Sequence, residues 1–355
     1  MQRFINFGSI GQFRETIKNV QHVAQYEGLD AEGNPIYNRS ALMPKIIATG
    51  TEKIHGTNAA VCYNNIDGLW VQSRNNIITP ENDNAGCAFA ANHNKDGWLE
   101  VISRLVKIYN INTDTHNVSV FYEWCGGNIQ DKSALTGIGK TSIIFQHFKV
   151  SPIDADEEES SVWYDTMGIH PDNLDFNIYN ISKFPTYVVE IDFNTPLLSQ
   201  NEMIKLVEEV VEPASPVGKA FGKESNVGEG IVFTFLLNGT LQRFKVKGEK
   251  HAKSKVKTLK PVDNEKEQVK IEFANYAANP LRLEQAWQNT FGINNEKLEP
   301  SIKSMGSFLK AVMNDVIKEE MDILAEKGLE PKDVSSLINN IARRWFNDEL
   351  VRDLQ

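Results

Sequence analysis

Lys53 stands in the string Thr51-Glu52-Lys53-Ile54-His55-Gly56-Thr57-Asn58, directly after the apolar run IIATG. This places an amine three residues before a glycine, at a strand-to-loop junction. An amine attacks an electrophile only in its neutral form, and a free lysine keeps its proton up to a pKa of about 10.4. Nearby cations and partial burial lower that value, because both disfavour the ammonium form. A bare K-x-x-G is common, and its ordinary meaning is a surface lysine before a turn. Two further amines, Lys245 and Lys247, occupy alternate positions of FKVKG. Upstream of them, Leu237-Asn238-Gly239-Thr240 separates two strand-like runs. Asn-Gly readily takes positive φ at both positions, so a type I′ hairpin is predicted. With that loop, Leu237 faces Thr240, Lys245 faces Val232 and Lys247 faces Gly230. The two lysines then share one face of the sheet, as a phosphate site requires. Strict alternation puts Glu229 on the other face, unless Gly228 and Gly230 permit a bulge at the strand's entry.

The longer string EKIHGTN is far more specific than K-x-x-G. It resembles the nucleotidyltransferase motif of covalent ligases, in the form used by the RNA ligase 2 family of phage double-strand RNA ligases and RNA-editing ligases. Further elements of that family follow in order. Arg74 lies in VQSRN and Glu123 in FYEWCGGNIQ. The run IFQHFKV supplies an aromatic, with Phe148 the better match and Phe145 the alternative. Glu229-Gly230-Ile231-Val232 comes next, and then the lysine pair. The C-terminal region, including NNIARRWFNDEL, is also similar to that family's C-terminal domain. The first 45 or so residues match least well.

The resemblance implies an ATP-dependent RNA ligase. Lys53 would attack the α-phosphorus of ATP and form lysyl-AMP, with pyrophosphate leaving. The backbone at Glu52 and Ile54 would border the adenine, and Phe148 would stack on it. Asn58 and Arg74 would contact ribose or phosphate. Glu123 would accept hydrogen bonds from the ribose hydroxyls. Glu229 would help hold Mg²⁺, with Mn²⁺ as a substitute, since a hard oxygen ligand suits either ion. Lys245, Lys247 and the metal would neutralise charge on the phosphates. His55 would touch phosphate or brace the loop. AMP would then pass to an RNA 5′-phosphate, and an RNA 3′-hydroxyl would displace it. The implied partner is RNA with 3′-OH and 5′-phosphate ends, duplex or nicked, as RNA repair requires, and the chemistry needs no oligomer. Arg282, and Asp315 with Glu319 four residues on, match charged positions that the family's C-terminal domain uses on RNA ends. A solvated helix face is the plain alternative for each.

The elements that must position these residues are also legible. VSVFYEW (118–124), TYVVEIDF (186–193) and GIVFTFLL (230–237) alternate at period two and read as strands. GWLEVISRLVKIY (97–109) and QNEMIKLVEEVVE (200–212) read as helices. After residue 262 the period changes. Phe308, Val312, Val316, Ile317, Met321 and Leu324 form one apolar stripe, and Leu337, Ile338, Ile341 and Trp345 a second. The predicted fold is α+β: a nucleotidyltransferase domain of antiparallel sheets with flanking helices over 1–258, then an all-helical C-terminal domain over 262–355. Downstream helices argue against DNA ligases and capping guanylyltransferases, which resemble this chain in lysine chemistry but usually continue into a strand-rich domain. A nucleic-acid-binding module without catalysis leaves the ordered motifs unexplained.

Composition sets outer bounds. With 355 residues, two domains are expected. No apolar leader opens the chain and no run could span a bilayer, which predicts a cytoplasmic protein, in the host cytoplasm if a phage encodes it. Cys62, Cys87 and Cys125 form no CxxC pair, so neither a disulfide framework nor a zinc site is expected. The formal net charge of −10 argues against nonspecific nucleic-acid binding. Charge is unevenly distributed, however. DADEEE (154–159) reads as a solvated acidic loop, while RFKVKGEKHAKSKVKTLK (243–260) carries eight Lys or Arg against one Glu. Its lysine-rich part is expected to lie along RNA phosphates, with a flexible linker as the alternative.

Overall fold

A computed structural model describes residues 2–83, 85–127, 129–130, 134–154, 160–169, 171–211, 213–248, 261–291 and 298–353. In chain order the strands are β1 (Tyr26–Leu29), β2 (Pro35–Tyr37), β3 (Lys45–Glu52), β4 (Thr57–Asn64), β5 (Gly68–Ser73), β6 (Ile77–Ile78), β7 (His116–Cys125), β8 (Thr141–Ile144), β9 (His147–Pro152), β10 (Val162–Asp165), β11 (Ile178–Asn180), β12 (Thr186–Asp192), β13 (Gly230–Leu237) and β14 (Thr240–Lys247). One sheet runs β12-β3-β13-β14. The larger sheet runs β10-β9-β7-β4-β5-β6, with β8 beside β7 and β11 beside β8. The β3–β13, β13–β14, β4–β7 and β7–β8 pairs are antiparallel, and β11 lies parallel to β8. β1 and β2 form a separate hairpin.

The period-two runs make strands because one set of side chains finds a core. On the larger sheet Val118, Val120 and Tyr122 of β7 and Val61 of β4 are buried beneath the helix Lys95–Tyr109, which contributes Trp98, Val101, Ile102 and Leu105. Each such side chain stabilises the fold by roughly 1.5–3 kcal/mol relative to exposure. The helix stops at Asn110, whose φ of 51° is left-handed. The Asn-Gly hairpin forms as its sequence dictates: Asn238 has φ 49° and Gly239 φ 78°. Its register is the expected one, with Leu237 opposite Thr240, Val232 opposite Lys245 and Gly230 opposite Lys247.

The described residues beyond 261 form helices only: Asn264–Ala277, Pro280–Phe291, Met305–Glu326 and Pro331–Asp353, with one short 3₁₀ turn. Asp263 caps the first by accepting from the Lys266 N–H at 2.9 Å. Pro280 and Pro331 open two others, where a missing N–H costs nothing. Gly328, at φ 64°, ends the third, and the Leu329 N–H bonds back to the Leu324 carbonyl. The shared core includes Phe273, Leu283, Phe308, Val312, Val316, Ile338 and Phe346.

One expectation about that core is corrected. Ile317 and Met321 are exposed, and the inner stripe is 308, 312, 316, 320 and 324. Glu320 therefore takes a core-facing position that a count of apolar residues could not reveal.

The chain divides into two compact units. One comprises residues 1–16, 46–191 and 202–260; the other comprises 17–45, 192–201 and 261–355. The division interleaves along the chain, where the sequence suggested a single cut near residue 260. Among the described residues, no helix is long and apolar enough to cross a membrane.

Candidate active site

Lys53 follows the last residue of β3. Its N–H donates to the Gly230 carbonyl at 2.8 Å, prolonging a ladder in which Glu52 faces Ile231. The loop after Lys53 must lie flat on β7. At Gly56 any Cβ would sit 2.3 Å from the Trp124 carbonyl oxygen, which explains the glycine of K-x-x-G physically. Across the ladder, Gly230 has φ +154°, and a Cβ there would fall 2.2 Å from the Val246 carbonyl oxygen. This glycine-only bend lets Glu229 escape strict alternation. Its Oε2 accepts from Lys53 Nζ at 2.5 Å, and its Oε1 accepts from Lys247 Nζ. The irregularity that Gly228 and Gly230 were expected to permit at the strand's entry is thus found at Gly230, and it brings Glu229 to the lysines. Burial opposes ionisation of Glu229, but the charges and hydrogen bonds of Lys53 and Lys247 outweigh it and hold the carboxyl below its usual range.

Lys53 and Gly56 border a cavity of about 450 Å³ within the first unit; Glu229 and Lys247 reach it only through their bonds around Lys53. Lys53, Ile54, His55, Asn58, Arg74, Glu123 and Lys245 all line it. Glu123 lies opposite Asn58 in the β4–β7 pair and accepts from the Gly56 N–H at 2.9 Å. Burial pushes its carboxyl up to about 7, against the opposing pull of Lys53 and the Gly56 N–H. Glu52 also lines the cavity, but its carboxylate is committed elsewhere: it accepts from the Ser215 hydroxyl and from the Val217 N–H. Burial pushes that carboxyl to about 7 despite both bonds. What Glu52 can offer a ligand is therefore its backbone. Lys245 donates to the Ile10 carbonyl at 3.1 Å. Burial, and then the charges of Lys247, Lys53 and Arg74, lower its pKa. His55 Nδ1 lies 3.9 Å from Glu229 Oε2.

Not every expected residue joins the site. Phe148 is fully buried against Tyr109 and Tyr164, on the helix-covered face of β9. Its neighbour His147 points the other way, into the cavity. The aromatic lining the cavity is Phe145. The Phe148 assignment is corrected accordingly.

In the helical region Arg282 donates to Asp315 at 2.8 Å, to Glu320 and to the Ala277 carbonyl. Glu319 is not in this network. It is half exposed and pairs with Lys318 at 3.0 Å. One residue along a helix turns about 100°, so Glu320 falls on the inner stripe and Glu319 beside it. The lysine-rich segment 249–260 lies outside the described residues, as does most of the acidic run.

Sequence reasoning missed several cavity residues. Phe7, Gly8 and Ile10 lie in the stretch that carries no motif. Gln146 accepts from the Thr234 hydroxyl at 2.6 Å, a bond between the two sheets at the cavity wall. His147, held down to about 4 by burial and by Arg243, is a neutral neighbour. Only Arg243, inside the basic run, gave a signal in advance.

Among the described residues no group of three or more His, Cys, Asp or Glu could hold a metal ion. Mg²⁺ keeps several waters and takes one or two carboxylates together with substrate phosphates, so it asks for no such group. Glu229, with Glu123 near enough to raise the cost of a second negative charge, fits that kind of shared site.

The cavity is lined by a strand-end lysine, the buried Glu123 carboxylate and the further cations Arg74, Arg243 and Lys245, and these cations form a set of donors that suits an anionic ligand. The RNA ligase family model matches residues 48–247, and the chain belongs to that family. Solved structures of a Naegleria gruberi RNA ligase are similar to it. The form with pyrophosphate is 16% identical, with a TM-score of 0.40 over 71% of this chain and 58% of that one. A variant of that ligase with AMP and Mn is 17% identical, with a TM-score of 0.42 over the same shares. The chain thus spans under two thirds of the length of those ligases. Among curated proteins no sequence match is found.

Proposed function

We propose that this chain joins RNA 3′-hydroxyl and 5′-phosphate ends with ATP, through an adenylate carried on Lys53. The observation that supports this most directly is the Lys53 amine at the cavity wall, with Lys245 and Arg74 lining the same cavity and Lys247 sharing its carboxylate. In the first step the neutral amine forms a P–N bond to the α-phosphorus. The α–β P–O bond breaks, pyrophosphate takes that electron pair, and the amine's proton leaves to solvent. Held as it is by Glu229, the amine must leave that ion pair before it can attack. Lys245, Lys247 and Arg74 stabilise charge on the phosphate oxygens, and Glu123 orients the ribose. Glu229 would hold Mg²⁺ or Mn²⁺, which when bound supplies Lewis-acid neutralisation of the phosphates.

AMP then moves to an RNA 5′-phosphate, and Lys53 is released. The RNA 3′-hydroxyl attacks that phosphate, and AMP departs with the bonding pair. A nick in duplex RNA is the proposed substrate, because it holds both ends in place. The helices beyond 261 favour this reading over DNA-sealing or capping chemistry.

The test is incubation with labelled ATP and Mg²⁺, a denaturing gel, and then ligation of nicked duplex RNA, nicked DNA, hybrids and single strands. Covalent label with preferential sealing of duplex RNA is expected. An unlabelled protein would remove the mechanism, and preferential sealing of nicked DNA would remove the substrate.

A further inference from the structure

The family match begins at residue 48, yet the cavity is also walled by Phe7, Gly8 and Ile10. Residues 5–11 are tied to both sheets. At one end Ile5 is fully buried, and its N–H and carbonyl both bond the Gln72 side chain on β5. At the other end Gly11 bridges to β14: its N–H donates to the Arg243 carbonyl at 3.2 Å, and its carbonyl accepts from the Lys245 N–H at 3.1 Å. Six residues at an extended rise reach about 20 Å, enough to cross from one sheet to the other. The turn is made at Gly8, with φ +80°.

The side-chain contacts that Asn6, Phe7 and Ile10 of this strap accept are chemically uniform. Three successive contacts bring a cation to a backbone carbonyl: Lys149 to Asn6, Arg243 to Phe7 and Lys245 to Ile10. The Arg243 guanidinium also lies 3.8 Å from the Phe7 ring centroid, and Phe7 stacks on Phe145 at 5.2 Å and 26°. A carbonyl oxygen is a weak, neutral acceptor beside a phosphate oxygen, so it holds an ammonium without competing for it.

We infer that residues 5–11 are a positioning element for adenylyl transfer, docking Lys245 on the Ile10 carbonyl and backing Phe145 with Phe7 so that amine and ring are preset for the triphosphate and the base. This rests on the nucleotide reading of the cavity. The strap touches no reacting atom; it acts through Lys245 and Phe145. A nucleoside triphosphate entering the cavity would draw Lys245 off the carbonyl and onto a phosphate oxygen.

The experiment uses the full chain with Phe7→Ala, Phe7→Tyr and Gly8→Ala. A Cβ at Gly8 meets an Arg243 guanidinium nitrogen at 3.1 Å, in a backbone region that alanine resists. Initial rates of label transfer from ATP are measured against ATP concentration, alongside the thermal midpoint and sealing of pre-adenylated RNA. Misplacement of a positioned group by about an ångström costs up to roughly 100-fold. Phe7→Ala and Gly8→Ala are therefore expected to raise KM for ATP by about tenfold or more, with a smaller loss in sealing pre-adenylated RNA, and Phe7→Tyr to restore most of the loss. If wild type carries label and both variants keep its KM, the strap inference is overturned while the nucleotide reading stands. If the maximal labelling rate and sealing fall together in proportion to lost folded protein while KM stays at the wild-type value, the segment is merely structural and the inference is likewise overturned. If wild type itself takes no label, the nucleotide reading fails first and the inference goes with it.

Discussion

Two clusters of charge in this molecule are mirror images. In the first unit a single carboxylate, Glu229, lies between two amines, Lys53 and Lys247. In the helical region a single guanidinium, Arg282, lies between two carboxylates, Asp315 and Glu320. The first cluster keeps a formal positive excess, and Lys245 and Arg74 add to it along a cavity wall. The second keeps a formal negative excess, but it is closed. The Ala277 carbonyl takes another Arg282 donor, and the Tyr276 hydroxyl caps Glu320. Both clusters use the residue types from which active sites are built. What separates them is whether the surplus charge faces space that a ligand can enter. In the proposed function the lysine cluster gains a phosphate, whereas the arginine cluster ties three helices together.

Mutations should split the two clusters cleanly. The largest effect is expected from Lys53→Ala, which should lower AMP labelling by at least about 1,000-fold while the melting curve stays in place. Residual labelling near wild type would merge the clusters into one structural class. Arg282→Ala should do the reverse. It leaves two carboxylates facing one another in a partly buried setting, at a cost of about 3 kcal/mol, read from hydrogen exchange of the helices between 264 and 353. Unchanged protection there would show that the network does not tie the helices.

A comparison of aromatics sharpens the contrast. Phe145→Ala should raise KM for ATP by about tenfold, the scale of one lost stacking contact. Phe148→Ala should instead destabilise the fold by about 3 kcal/mol, as core truncations do, with KM for ATP near wild type. The reverse outcome would return the stacking role to Phe148.

A smaller effect is expected with pH. Burial raises the Glu123 carboxyl to about 7, so the group is neutral below that pH and ionised above it. Its capacity to accept from ribose hydroxyls therefore grows as pH rises through 7. KM for ATP should fall across that window, and Glu123→Gln should remove that part of the profile. A profile identical in wild type and Glu123→Gln would free Glu123 from the ribose. The smallest effect is predicted for Glu319→Ala, within about 0.5 kcal/mol of wild type, as for ordinary surface sites. A selective loss in sealing pre-adenylated RNA by that variant would give Glu319 a role on RNA after all.

Local chemistry decides which of these features the sequence could disclose. Asn238-Gly239 admits few backbone solutions, so the hairpin register and the alignment of Lys245 and Lys247 followed from counting. For Glu229 counting alone gave the wrong face, and only the flanking Gly228 and Gly230 signalled the departure; the bend at Gly230 breaks the parity on which counting depends. Phe148 was misplaced for a related reason. Phe145, Gln146 and His147 all reach the cavity at the junction of β8 and β9, where alternation is interrupted. Glu320 hid on an apolar stripe because its partner Arg282 is 38 residues away. The strap at 5–11 was invisible because its work is done by backbone carbonyls, which every residue has.

The most direct test is mass spectrometry of the protein after incubation with ATP and Mg²⁺. One adenylate should be found on the peptide that contains Lys53, and none on the Lys53→Ala variant. An adenylate on any other residue, or RNA sealing by a chain that never carries one, would contradict the account.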